Sequence, residues 1–282
     1  MAQREAEIVV DAHHHFWDPG RFGYPWMSPE TKVLARPFLP RDLKGLIAEV
    51  GVTRTVLVQT ISSLDETRWF LKLAEANEFI AGVVGWVDLR SSDLPNVLDE
   101  FTSHPKFKGV RHQVEDEPDE SWLIREDVLH GLGELARRNI PYDLLVRTPH
   151  LKFVPKIARR FPNLRMVIDH IAKPPIARGE MKEWVRELAP VAKIPNVLCK
   201  LSGMITEADW KGWKVQNLAP YVDFVIEKFG PKRLMFGSDW PVCLLAGSYR
   251  QVWETLQELL YSVSGEDKSR VFGGNAVAFY NL

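Results

Sequence analysis

The sequence predicts an α/β fold, a (β/α)8 TIM barrel forming a single domain over 1–282, and three observations carry that expectation. Short runs rich in β-branched residues alternate with segments whose apolar residues recur at helical spacing. Eight such runs can be counted, and the connections on one side of the alternation are far longer than on the other. Strict β/α alternation calls for a parallel sheet, and eight is the number that closes it into a barrel; a doubly wound open sheet is the alternative.

The candidate strands are 8–12, 54–59, 80–87, 107–112, 142–146, 164–168, 196–201 and 233–237. Between them, Leu43, Leu46, Ile47 and Val50 space apolar groups on one helical face, as do Leu94, Val97, Leu98 and Phe101. The series continues with Leu132, Leu135 and Ala136, with Leu151, Val154 and Ala158, with Leu218, Tyr221, Val222, Val225 and Phe229, and with Val252, Leu256, Leu259, Leu260 and Val263. Helix-to-strand connections at 51–53, 139–141, 162–163 and 230–232 are tight and carry the Gly, Pro and Asn of stops and turns. Strand-to-helix connections at 16–41, 171–179, 203–215 and 240–247 are longer and richer in aromatic and polar residues. In a barrel these all lie on one rim, where function is built. Segment 16–38, with Trp26 and several prolines, is the expected cover over that rim.

Composition excludes several functions. With 45% hydrophobic and 26% charged residues the chain is an ordinary globular one. Its 36 basic and 37 acidic side chains are interspersed, so there is no basic stripe for nucleic acid. No apolar run approaches a membrane span, and the first ten residues lack the marks of a secretory leader, so the expected compartment is the cytoplasm. Cys199 and Cys243 lie in apolar segments and are read as buried free thiols. Composition leaves a homo-oligomer open.

Titratable residues gather at the predicted strand ends: Asp11, His13 and His15 on the first, Arg111 and His112 on the fourth, and Arg147 on the fifth. The sixth contributes His170, the seventh Lys200 and Ser202, the eighth Asp239. Residues two apart in a strand face the same side, so Asp11, His13 and His15 are expected to project together into the barrel mouth. An isolated His-x-His is equally a polar turn, and a lone histidine at a strand end is more often a hydrogen-bonded structural residue. The specificity lies in the set: His-x-His after strand one, Asp169-His170 after strand six, and Gly237-Ser238-Asp239-Trp240-Pro241 after strand eight.

With these motifs the whole chain resembles the amidohydrolase superfamily. The runs Asp11-Ala12-His13-His14-His15-Phe16-Trp17-Asp18, Asp169-His170-Ile171-Ala172-Lys173-Pro174 and Phe236-Gly237-Ser238-Asp239-Trp240-Pro241 are similar to its lactonase branch, as is Gly274-Asn275-Ala276 followed by Phe279-Tyr280. That branch opens L-fuconolactone, L-rhamnonolactone or 2-pyrone-4,6-dicarboxylate. The resemblance implies a hydrolase of carbohydrate metabolism whose partner is a small-molecule lactone. No lysine closes strand four and no histidine closes strand five, where Arg111-His112-Gln113 and Arg147 stand instead, so at most one ion is implied. Either no cofactor is required, or one divalent cation such as Zn2+ is held by His13, His15 and Asp239.

Lactone hydrolysis needs a base for water, a polariser for the carbonyl and an acid for the leaving alkoxide. The expected catalytic set is Asp239 as base and acid, with His170, His13 and His15 around the developing oxyanion. Arg111, His112 and Lys200 are the expected contacts to substrate hydroxyls or a carboxylate, with Arg147 the weakest candidate; each is equally a barrel salt bridge. Trp17, Trp26, Trp86 and Trp240 offer faces for sugar C–H surfaces, although any single tryptophan is more often packing. The competing readings are a pyrone-dicarboxylate lactonase, which needs a stronger cation cluster, and a metal-dependent nonoxidative decarboxylase. A non-catalytic barrel is disfavoured because the titratable rim groups are retained together.

Overall fold

Strands apolar on both faces need helices outside and side chains filling the inside, and the computed structural model, which describes residues 8–282, has that arrangement. The strands are β1 (Val10–His14), β2 (Arg54–Val58), β3 (Ile80–Gly85), β4 (Phe107–Gln113), β5 (Tyr142–Leu145), β6 (Met166–Ile168), β7 (Val197–Leu201) and β8 (Leu234–Phe236). All neighbours pair in parallel, in chain order. The outer layer is α1 (Pro40–Val50), α2 (Leu64–Ala76), α3 (Leu94–Thr102), α4 (Glu126–Arg137), α5 (Val154–Arg160), α6 (Lys182–Ala192), α7 (Val215–Phe229) and α8 (Tyr249–Leu259). Two of these, α2 and α6, are absent from the apolar series read off the sequence; Ser63 caps α2 by accepting from the Glu66 amide at 3.2 Å.

The seam between β8 and β1 is joined at the top by the backbone beyond the strands. The Asp239 amide donates to the His13 carbonyl at 2.8 Å, and the His15 amide to the Trp240 carbonyl at 2.7 Å. At the other end, α9 (Gly265–Ser269), a π-turn at Arg270–Gly274 and α10 (Asn275–Tyr280) cover the seam. A side chain at Gly273 would put its Cβ 1.9 Å from the Ile8 carbonyl oxygen, so only glycine permits this approach. Val10, Ala12, Val56, Val58, Val84, Val167 and Met235 form an apolar cluster with Ala276, Phe279 and Tyr280 of α10, while a larger cluster fills the space between sheet and helices.

Strand boundaries differ from expectation most in β1, which begins two residues later than read and runs through an irregularity between Asp11 and His14. That irregularity shifts the alternation. Asp11 does not share the mouth with His13 and His15, contrary to the period-two expectation: it turns away and accepts from Ser238 N (2.9 Å), Ser238 Oγ (2.6 Å) and Tyr249 OH (3.1 Å). Burial raises its pKa to about 6. Cys199 and Cys243 are buried free thiols. No helix among the described residues is long and apolar enough to cross a membrane. The reading of the first ten residues rests largely on 1–7, outside the described residues.

Candidate active site

Because β1 and the segment after β8 are joined at their upper ends, His13, His15 and Asp239 meet there, and the turn after β6 brings in His170. His13 Nε2 lies 3.2 Å from His15 Nε2, and Asp239 Oδ1 lies 3.3 Å from His15 Nε2. The same carboxylate oxygen is 3.9 Å from both His13 Nε2 and His170 Nε2. The four residues expected to carry chemistry therefore converge. His15, His170 and Asp239 open onto a cavity of about 200 Å³ that Trp17, Trp26, Thr60, Arg111, Glu115 and Lys173 also line.

The turn that delivers His170 is strained. His170, Ile171, Ala172 and Lys173 all have positive φ (54°, 48°, 62° and 47°), a left-handed turn without a glycine. The left-handed helix costs L-residues roughly 1–2 kcal/mol each, and such conformations persist where the surroundings over-determine them. Here the Trp184 indole holds the Ile171 carbonyl at 2.7 Å, and His170 Nδ1 lies 2.9 Å from Ser202 Oγ. Gly203 leaves room for the ring, since a Cβ there would sit 2.5 Å from His170 Nδ1. Asp239 is likewise left-handed, with φ 56°.

Burial sets the protonation of the group. It lowers the pKa of His15 to about 3 and of His170 to about 4, and pulls His13 down as well, so the imidazoles are neutral near pH 7. It also raises the Asp239 carboxyl above its usual range, against the opposing charges of His170, Lys173 and Arg111. His15 Nδ1 is 2.8 Å from the Val58 carbonyl, which can only accept, so Nδ1 carries the proton and Nε2 presents its lone pair. Arg111 NH1, which can only donate, is 3.2 Å from His13 Nε2. With the His13 Nδ1 proton turned to Asp169 Oδ1 at 3.3 Å, two imidazole lone pairs face one another beside a carboxylate.

That donor set fits a divalent cation. Tetrahedral zinc with bonds of about 2.0–2.1 Å separates its ligands by about 3.3 Å, against the observed 3.2 Å between His13 and His15 and 3.3 Å between His15 and Asp239. The group whose ligand atoms all lie within 4.8 Å of one another is His13, His170 and Asp239. That group holds His170 in place of His15, so the set read from the sequence and this one share His13 and Asp239.

Beneath the site lies a buried charged column. Lys200 Nζ is 2.5 Å from Asp143 Oδ2, 3.0 Å from Asp169 Oδ1 and 3.2 Å from His13 Nδ1. Arg111 NH1 bonds Asp169 Oδ2 at 3.1 Å, and its NH2 donates to the Gln59 carbonyl. Burial opposes ionisation of Asp169, yet Lys200, His13 and Arg111 hold its carboxyl well below the ordinary range. Asp143 and Asp169 were missed as partners; their signal is an acid set inside each apolar strand run, Tyr142-Asp143-Leu144-Leu145 and Met166-Val167-Ile168-Asp169.

Other expected contacts do not reach the cavity. Lys200 is fully buried and saturated by carboxylates, so it is placed to support His13 rather than to touch substrate. His112 follows Arg111 on β4 and so points to the opposite face: Trp86 donates to its Nδ1 at 3.0 Å, Glu117 takes its Nε2 at 2.6 Å, and it stacks on Trp122. Trp86 is turned away with it. Trp240 is buried edge-on against Phe16 and Phe38, packing the cover rather than lining the cavity. Arg147 is half-exposed and paired with Glu115 at 3.0 Å. Trp26 and Arg111 do line the cavity, as do Thr60, Glu115 and Lys173, which the sequence reading did not single out as contacts.

Comparison with known proteins agrees with this geometry. The amidohydrolase family profile matches residues 10–282. The chain is 40% identical over 278 residues to an L-fucono-1,5-lactonase of Burkholderia ambifaria, covering 97% of this chain and 95% of that one. It is 36% identical over 286 residues to an L-fucono-1,5-lactonase of Burkholderia multivorans, covering 98% and 96%. A crystal structure of an amidohydrolase from Burkholderia multivorans with bound zinc superposes with a TM-score of 0.93 at 36% identity, over 98% of this chain and 99% of that one. Strand order, the His13, His15, His170 and Asp239 cluster and the profile across nearly its whole length agree: this chain belongs to the amidohydrolase family.

Proposed function

We propose that this enzyme is a lactonase that opens a neutral, polyhydroxylated sugar-acid lactone of the L-fucono-1,5-lactone kind, with Asp239 as general base and then general acid. The observation that carries this reading is the Asp239 carboxylate standing 3.3–3.9 Å from three neutral imidazoles on a small cavity. The two lactonases of Burkholderia support the substrate class.

Water bound beside Asp239 gives its proton to the carboxylate as its oxygen bonds to the lactone carbonyl carbon. Burial raises the basicity of Asp239, which suits it to this transfer. With the Ser202 hydroxyl donating to His170 Nδ1 and no ion on the ring, the proton sits on Nε2, an N–H donor for the tetrahedral oxyanion; such a donor is worth about 3 kcal/mol in the transition state. When the intermediate collapses, the ring C–O bond breaks and Asp239 returns its proton to the leaving alkoxide. The product is the open hydroxy acid, which ionises. A zinc ion, when bound by His13, His15 and Asp239 with His170 beside them, supplies Lewis-acid polarisation of the carbonyl.

Charge balance in the cavity argues for a neutral substrate over a pyrone dicarboxylate. Its cations Arg111 and Lys173 are each already paired, with Asp169 at 3.1 Å and with Glu115 at 2.5 Å. A dicarboxylate would compete with both acids. The test is acid release in a pH-indicator assay with L-fucono-1,5-lactone and 2-pyrone-4,6-dicarboxylate, beside Asp239→Asn. Acid from the sugar lactone, lost by at least a hundredfold in Asp239→Asn, supports the reading. Release of CO2 from an aromatic acid, with no acid from either lactone, moves it to decarboxylation.

A further inference from the structure

We infer that Lys173 and Glu115 together form the specificity element of the cavity, a donor and acceptor pair that reads hydroxyl groups on the lactone ring. This rests on the lactonase reading and adds how the ring is recognised.

The first ground is the strained turn. It is a 3-10 turn closed by the Lys173 amide on the His170 carbonyl at 2.8 Å, and at three residues per turn positions i and i+3 lie one above the other. His170 and Lys173 are those two positions, and both line the cavity that Asp239 lines. The strain therefore has a product: it delivers an ammonium group alongside a candidate catalytic imidazole.

The second ground is unfilled hydrogen-bonding capacity. Lys173 Nζ carries three donors and makes one hydrogen bond among the described residues, to Glu115 Oε1 at 2.5 Å. Glu115 Oε2 is held by the Arg147 guanidinium, whose Nε is 3.0 Å away, and Oε1 faces Lys173. Two unused N–H groups on Lys173 beside the remaining lone pair of Glu115 Oε1 complement a hydroxyl, which both accepts and donates. They do not complement a carboxylate, which Glu115 would repel.

Lys173 also lines the wider outer groove together with Arg147 and Glu207, so its side chain stands at the boundary between cavity and solvent. That position suits it to reading ring substituents of the bound lactone.

The experiment measures kcat/KM for L-fucono-1,5-lactone and for δ-valerolactone, which has the same ring without hydroxyls, in the full-length enzyme and in Lys173→Met, Lys173→Arg and Glu115→Leu. In Lys173→Met and Glu115→Leu the ratio of the two kcat/KM values falls at least tenfold, through KM for the hydroxylated lactone, with its kcat changing less than threefold. Lys173→Arg recovers most of the ratio, which a variant damaged only in folding would not do. An unchanged ratio, whether both substrates suffer equally or neither does, overturns the inference while leaving the lactonase reading intact. A wild-type enzyme that releases acid from neither lactone overturns the lactonase reading itself, and the inference with it.

Discussion

Lys200 on β7 and Asp143 on β5 form an ion pair at 2.5 Å inside the barrel, with neither side chain exposed. The Tyr280 hydroxyl donates to the same carboxylate from below, at 2.8 Å to one oxygen and 2.9 Å to the other. The carboxyl-terminal helix α10 thereby plugs the barrel and completes a column that rises through Lys200 to His13.

Removing Lys200 leaves Asp143 with only the Tyr280 hydroxyl and Asp169 with Arg111 as its remaining cation. Breaking one side of a buried pair typically costs about 3–5 kcal/mol. Lys200→Met should lose that much in urea denaturation, and Lys200→Met with Asp143→Asn should recover part of it. A loss below about 1 kcal/mol would mean that the column is solvated and its charges are not mutually dependent.

Stability should rise with pH from about 4 to 7 and then level off. His14 and His15, lowered to about 3, and His170, lowered to about 4, stay neutral when folded but take up protons when unfolded below their ordinary 6.5. His13 acts in the same direction. Their contribution is present above about pH 6.5 and is lost as pH falls. Asp11 and Asp143, raised to about 6, and Glu66, raised to about 7, oppose this because the folded state holds their protons more tightly. His112 and His150 are lowered by burial as well, and Asp239, Asp116 and Glu207 are raised, so six histidines face six acids; the larger displacements of the histidines, with Asp169 held low, leave the unfolded state with the larger proton uptake, and each net proton is worth about 1.4 kcal/mol per pH unit. Denaturant midpoints measured from pH 4 to 8 decide the sign; a maximum near pH 5 would show that the raised acids dominate.

Zinc added to the chelator-treated protein should raise its melting temperature, because a ligand bound only by the folded state stabilises it by about 2.7 kcal/mol at a hundredfold excess over Kd. His13→Ala and Asp239→Asn should each abolish that increment. An equal increment in both variants would place the ion elsewhere.

Much of the site was legible before any coordinates. Alternation of β-branched runs with helical periodicity specified eight strands, because burial on both faces of a parallel sheet leaves that signature in composition. His13, His15, His170 and Asp239 could be named because each ends an apolar run, and strand ends in such a barrel share one rim. What residues two apart could not convey was the irregularity in β1, which carries Asp11 out of the mouth while His13 stays in it.

Local sequence assigned charge and position to Lys200 and His112 correctly, yet not what they face. Lys200 is neutralised by acids 57 and 31 residues away in the chain, and His112 is turned outward by the alternation that turns Arg111 inward. Conversely, Lys173 reaches the cavity from a left-handed turn that aligns it with His170, and Glu115 meets it across 58 residues. The sequence by itself determined the architecture and which titratable groups gather at the rim, since both follow from short-range periodicity. Which charges are spent in pairing and which remain open to a substrate was decided by tertiary structure, because a charge is neutralised by whatever lies a few ångströms away, and chain distance does not report that.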